Sequence, residues 1–164
     1  MYNVNSKVMH ALHGLGTIES IEEKEILGSV ATFAVVAFEK MQVMVNLNSR
    51  NSSIRNPILS DEVDSVMTHL RDCTPELPNN HNQRHKMILE LIKAGDVRKT
   101  CLVVKGLTLL SQKRDLAARD AKALEQSMRL LSEELGNAIG SEPEELLEKL
   151  TAECLVNEKE LATA

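Results

Sequence analysis

The sequence predicts an α+β protein: a small N-terminal β-barrel of the SH3 or Tudor kind, followed by an all-α helical domain. Three observations predict it. The hydrophobic period is near 2 up to about residue 55 and becomes helical afterwards. Asn56-Pro57 marks the change, so the expected domains are 1–56 and 57–164. Among 164 residues there is no Trp, one Tyr and two Phe, so a core must come from Leu, Ile, Val, Met and Ala, a composition that favours helices.

The first domain is read from alternation and turn residues. Ile18 and Ser20 alternate with Glu19 and Ile21, and Thr32-Phe-Ala-Val-Val-Ala-Phe38 is a β-branched and aromatic run. Met41, Val43, Val45 and Leu47 fall on one face, with Gln42, Met44 and Asn46 on the other. Gly14-Leu-Gly16 and Leu27-Gly28-Ser29 punctuate these runs as turns, which leaves four or five short strands.

Five helices follow. Ser60-Asp61 can cap the first, carrying Val63, Val66, Met67 and Leu70; it ends before Pro75, in a loop with two prolines. The second covers about 82–94, with Met87, Ile88, Leu91 and Ile92 on one face. Gly95 stops it, and Asp96 caps a third that runs to about Arg114. Leu116 to Leu135 is the fourth, interrupted by Gly136 and Gly140. Ser141-Glu-Pro-Glu144 reads as a capping box for a fifth through about Asn157, with Glu158 to Ala164 expected to fray.

Charge is concentrated in segments. The chain carries a net -5, yet residues 81–122 hold 10 basic and 4 acidic side chains between two acidic flanks. That argues against a wholly basic nucleic-acid binder and for one localised anion-facing surface. Arg84 and Lys86 open one helix and Arg98 and Lys99 the next. Lys113, Arg114, Arg119 and Lys122 cluster around the following turn. Helix starts point backbone N–H groups outward, and Lys or Arg beside them suits phosphate. The apolar stretches, such as Phe33-Ala-Val-Val-Ala-Phe38 and Cys101-Leu-Val-Val104, are far below the roughly 18 residues of a membrane span. Cys73, Cys101 and Cys154 are widely spaced with no CxxC, and the N-terminus lacks a signal-peptide pattern, so reduced thiols in a bacterial-type cytoplasm are expected.

Catalytic patterns are weak. Gly14-Leu-Gly16 has no following helix and reads as a hairpin turn rather than a dinucleotide fingerprint. His81 and His85 share a helix face, but no third ligand is evident, so no metal site is expected; His10 and His13 read as structural. Cys101 sits among apolar positions and reads as a small core residue, and Glu22-Glu23-Lys24-Glu25 as a solvated strand edge. No catalytic residue and no cofactor is expected.

The chain resembles the CarD/CdnL family of bacterial RNA polymerase-binding transcription regulators, and its first module also resembles that of the transcription-repair coupling factor. The likeness rests on His13-Gly14-Leu-Gly16-Thr-Ile, Ile21-Glu22-Glu23-Lys24-Glu25-Ile26-Leu27-Gly28 and Met41-Gln-Val-Met-Val45. It continues in Ser53-Ile-Arg55-Asn-Pro57-Ile, Arg84-His-Lys86, Lys93-Ala-Gly95-Asp96 and Leu130-Leu-Ser-Glu-Glu-Leu135, over about residues 5–140. It implies a Tudor-like domain that docks on the β-subunit lobe of RNA polymerase by strand pairing, through Lys24, Ile26, Gln42, Met44 and Val45. It also implies a monomer whose helical domain touches upstream promoter DNA without reading sequence and stabilises the open complex. Arg84 and Lys86 retain the family's basic positions, and Arg98, Lys99, Arg119 and Lys122 extend them. His81 stands where the family has a Trp that wedges into the minor groove, a task suited to a large apolar plane. Ala11 stands at a usual proline, His85 at an aromatic position, and Lys105-Gly106-Leu107 at a family Arg-Asp-Leu. The resemblance therefore supports polymerase docking more strongly than the wedge. The alternative reading is a protein-interaction module that binds polymerase without acting on DNA.

Overall fold

The computed structural model describes residues 2–50 and 52–163, with side chains up to Asn157. The chain divides into two compact units, Met1–Pro57 and Ile58–Ala164. The first is β and the second is α, so the α+β class and the Tudor-like first domain both hold.

The N-terminal unit is a five-stranded antiparallel sheet: β1 (Lys7–His10), β2 (Gly14–Ile26), β3 (Ser29–Ala37), β4 (Gln42–Asn46) and β5 (Ile54–Arg55). The order is β4-β3-β2-β1-β5. One core collects Val8, Ile18, Ala34, Val36, Val45 and Ile54, a residue from every strand. Flat strands spaced about 4.8 Å apart could not bring both edge strands into one cluster, so the sheet must curl around it. Gly14-Leu-Gly16 lies inside β2, not in a turn; the turn is Ala11 to His13. Gly16 is required because Phe38 and Val36 lie across it, where a Cβ would be 2.7 Å from each.

Ile18 and Ile21 both pack toward this core although they are three residues apart. Strict alternation forbids that, and the register shift between Ile18 and Ser20 explains it. Glu19 is the extra residue of a β-bulge, which turns the second half of β2 over. The simple alternation expected for Ile18 to Ile21 therefore fails at one position.

His10 is buried, and its Nδ1 accepts the N–H groups of Leu12 at 3.0 Å and His13 at 3.2 Å. Its ring lies 4.4 Å from that of His13 and edge-on to Phe38 at 5.8 Å. Both histidines are structural, as expected. Burial, then the neighbouring His13, push the His10 pKa down.

The helical unit holds α1 (Val63–Asp72), α2 (His81–Lys93), α3 (Val97–Lys113), α4 (Ala118–Ile139) and α5 (Pro143–Thr163), after a 3-10 turn at Ser60–Glu62. Ser60 and Asp61 do not cap α1. Instead the Glu62 carboxylate reaches back to the Leu59 N–H at 2.7 Å. The caps expected from sequence at Asp96 forms, its carboxylate accepting the Arg98 N–H at 2.8 Å. Helix α3 is buried on Thr100, Cys101 and every residue from Val103 to Thr108, so it is the central helix. One cluster packs it against α1, α4 and α5 through Val66, Leu70, Cys101, Val104, Leu131, Leu135, Leu150 and Cys154. Another packs it against α2 and α4 through Ile88, Ile92, Val103, Leu107 and Leu130. No helix among the described residues is long and apolar enough to cross a membrane.

Gly136 does not interrupt α4, which continues to Ile139 and ends at Gly140 with φ 72°. It is glycine for another reason: a methyl there would lie 2.6 Å from the Ser141 carbonyl oxygen. Helix α5 likewise runs past Asn157 to Thr163 rather than fraying from Glu158; Ala164 lies outside the described residues.

Two predictions follow from this packing. Gly136→Ala should lower stability by about 1–3 kcal/mol in urea titration, since the backbone oxygen must move. For His10, the folded pKa lies below the ordinary 6.5, so the unfolded chain binds more protons between the two values. Its contribution is full above about pH 6.5 and is lost as pH falls through the folded value. In His10→Asn, whose amide oxygen can accept the same two bonds, thermal midpoints measured from pH 7.5 to 5 should lose that component, where pH values are about those of an ordinary histidine titration.

Candidate functional site

In the N-terminal unit, residues alternate with the core set to form an outer face. Register puts Ser20, Val35 and Met44 in one row and Glu22, Phe33 and Asn46 in the next, followed by Lys24 beside Ala31. Phe33 and Val35 are half-buried there, while Met44 and Ile26 are exposed. Lys24 Nζ lies 3.5 Å from Met44 Sδ and 3.8 Å from a Glu22 oxygen. Gln42 donates to Glu19, the bulged residue. Among the described residues strand β4 pairs only with β3, so it is an edge of the sheet, the kind of template on which a strand can be added.

This face brings together Lys24, Ile26, Gln42 and Met44 of the expected docking residues. Val45 is different. Its side chain is buried in the core, so only its backbone is available to a partner. Phe33 and Val35 join this face too, and the sequence carries a signal for them. The run from Phe33 to Val36 is apolar at both parities, the mark of a strand that meets apolar surroundings on both faces.

In the helical unit, the starts of α2 and α4 come together. Asn80 caps α2, its side chain accepting the N–H groups of Asn82 at 3.0 Å and Gln83 at 3.1 Å. Helix α4 begins after Ala117 with no side-chain cap hydrogen bond. Arg119 donates to the Asn82 amide oxygen at 3.4 Å, joining the two starts at the surface. Beneath them Arg84 and Asp120 form a buried ion pair, with Nη2 to Oδ2 at 2.8 Å and Nε to the same carboxylate at 3.1 and 3.3 Å. Arg84 Nη1 also donates to the carbonyls of Pro78 at 3.1 Å and Asn79 at 3.0 Å. The loop between is seated from its other side by Leu77, which fills the notch over Gly106 where a Cβ would lie 2.8 Å away.

His81, Lys86, Arg119 and Lys122 are exposed near this end of the unit. Arg98 and Lys99 are exposed too, but at the opposite end of α3, about 22 Å from Lys113 at a rise of 1.5 Å per residue. There Arg98 donates to Ser65 Oγ at 2.6 Å, in a depression that Asp64 and Asp72 also line. The Asp96 carboxylate already occupies the α3 start. The basic segment is therefore two separated groups, not one patch.

The thiols do not form a reactive centre. Burial pushes Cys101 up to about 12 and Cys154 up to about 11, and raises Cys73 against the pull of Lys105. Among the described residues, no group of three His, Cys, Asp or Glu side chains is placed to hold a metal ion.

The description CarD-like/TRCF RID domain matches residues 2–58, and CarD, C-terminal domain, matches residues 65–151. The chain belongs to the CarD family. One relative is the Bacillus subtilis (strain 168) protein "Putative transcription factor YdeB", 27% identical over 140 residues, spanning 82% of this chain and 90% of that protein. By both CarD domains the chain is a transcription regulator of this family.

Set within the CarD C-terminal domain, the pair of positions Arg84 and Lys86 splits. Lys86 is exposed and can meet a phosphate; Arg84, expected on DNA, is 2% exposed and spends its donors inside the protein. Its signal was legible as a stripe: Arg84, Ile88 and Ile92 recur every four residues and all are buried. Asp120 precedes Leu124 and Ser127 by helical spacing in the same way. A charge on each of two apolar stripes, opposite in sign, is how a buried pair appears in sequence. Arg84→Ala should cost about 3–5 kcal/mol in denaturant titration, because it strands the Asp120 carboxylate. Arg84→Met with Asp120→Leu should recover most of that loss.

Proposed function

We propose that the chain is a non-enzymatic regulator that tethers to the RNA polymerase β lobe and lies against upstream promoter DNA, stabilising the open complex. The observation that carries this reading is the presence, in order along one chain, of the CarD-like/TRCF RID domain and the CarD C-terminal domain. The outer face and free edge of β4 supply what strand addition needs: backbone groups for affinity, and Met44, Phe33 and Ile26 for selectivity. Such binding carries the protein to the nucleoid as a cytoplasmic monomer on polymerase.

The DNA contact is carried by Lys86, Arg119 and Lys122 around the starts of α2 and α4, with His81 beside them. Arg84 is a positioning residue for that surface. Phosphate contacts carry no base code, which suits a regulator that acts without sequence recognition. Arg98 and Lys99 belong to the far end of α3 and are a second, weaker contact at most.

The burial of Arg84 and the polar His81 at the wedge position favour a second reading. In it the protein binds polymerase and a further protein but leaves DNA untouched. Open-complex lifetime on a primary-σ promoter separates the two. In the first reading wild-type protein lengthens the lifetime, and Lys86→Ala, Arg119→Ala and Lys122→Ala together weaken the effect. The log–log salt slope should then fall by about 2–3, close to one per lost phosphate contact. Polymerase binding with an unchanged lifetime at every salt concentration selects the second reading.

A further inference from the structure

Leu27 is fully exposed, at 101%, and its φ is 52°. Each property is unfavourable by itself. A γ-branched side chain in the left-handed region is strained where Gly or Asn is not, and an apolar side chain left in water contributes nothing to the core. Gly28 follows with φ 80°, and Ile26 pairs with Ser29. Residues 27 and 28 are thus the two-residue loop of a β2–β3 hairpin, with the positive φ pair of a type I′ turn, for which Asn-Gly is preferred. The turn suits Asn at 27, and the sequence has Leu.

Leu27 is not alone. Ile26 is 50% exposed and Val30 67%. The arm that carries them is two-stranded: the Thr32 carbonyl takes the Leu47 N–H, and beyond it only β2 and β3 continue through Lys24–Ala31. At its base stand the carboxylates of Glu22, Glu23 and Glu25 against the single ammonium of Lys24, all exposed. That balance repels nucleic-acid phosphates and anionic lipid, and it complements a basic rim.

We propose that this hairpin tip is a docking knob that enters an apolar pocket with a basic rim on RNA polymerase, apart from the strand-edge contact of β4. The proposal rests on the polymerase-binding reading above. Leu27 is the anchor, Val30 flanks it, and the glutamates set orientation.

The test uses the full chain and core RNA polymerase, with affinity measured at several salt concentrations for wild type, Leu27→Asn, Val30→Thr and Met44→Glu. Leu27→Asn removes the strain and the knob at once. It should raise the thermal midpoint by a few degrees, roughly the scale of a relieved left-handed leucine, while weakening polymerase binding about tenfold or more. Val30→Thr should weaken binding in the same direction. Binding by Leu27→Asn equal to wild type, with Met44→Glu defective, overturns the knob and leaves the polymerase reading in place. Wild type that does not bind polymerase overturns both. Self-association of wild type that Leu27→Asn abolishes, with polymerase affinity unchanged, also overturns the proposal and assigns the tip to a second copy of this chain.

Discussion

The Arg84–Asp120 pair is the interaction on which the corner formed by the starts of α2 and α4 depends. Two charges with 3% and 4% side-chain exposure gain little net stability from each other, because both have left water. What they contribute is position. The guanidinium fork has fixed directions, and here it addresses the Asp120 carboxylate on one side and the Pro78 and Asn79 carbonyls on the other. One side chain therefore ties the loop, the start of α2 and the start of α4 together. The surface residues of that corner, Asn82, Arg119 and Lys122, stand on a base that cannot be rearranged without exposing or orphaning a charge.

The two units divide their apolar surface differently. The helical unit turns nearly all of it inward around α3. Even Lys105, 5% exposed, sends its ammonium to the Arg71 carbonyl at the end of α1, where the helix dipole and a helix-end peptide oxygen both favour a cation. The β unit has too few residues to cover both faces of its sheet. Its inner face closes on itself, and its outer face keeps Phe33, Val35, Met44 and Ile26 near the surface. Apolar surface held there, rimmed by charge, is a cost in the free protein that a partner can remove.

Most of the fold was legible because its determinants are local. The change of period at Asn56-Pro57, the Asp96 cap and the apolar stripes of five helices are all spelled within a turn or two of where they act. The misreadings came from contacts that the intrinsic preference of a single residue does not reveal, whether the contacting segments are near or far along the chain. Gly136 breaks helices in isolation, and only the returning chain at Ser141 explains why it sits inside one. Glu19 looks like any alternating strand residue, and only the register with β3 makes it a bulge. At the site, Lys86, Arg119 and Lys122 were identifiable as exposed cations from local charge. The inward direction of Arg84 and of Val45 lies in the apolar positions four and two residues away, a signal that charge and strand membership alone do not carry.

The closing of the helical unit by α5 bears on when it can form during synthesis. Arg71 and Glu153 pair at 2.9 Å across 82 residues of chain, and Asn157 bonds to the Arg71 carbonyl across 86. Val66 and Leu70 of α1 share a core with Leu146, Leu150 and Cys154 of α5. The β unit, a succession of hairpins, is complete once its own strands have left the ribosome. Helix α1 follows directly but keeps a bare apolar face until the last helix emerges, so the nascent chain carries a finished N-terminal module ahead of an open bundle.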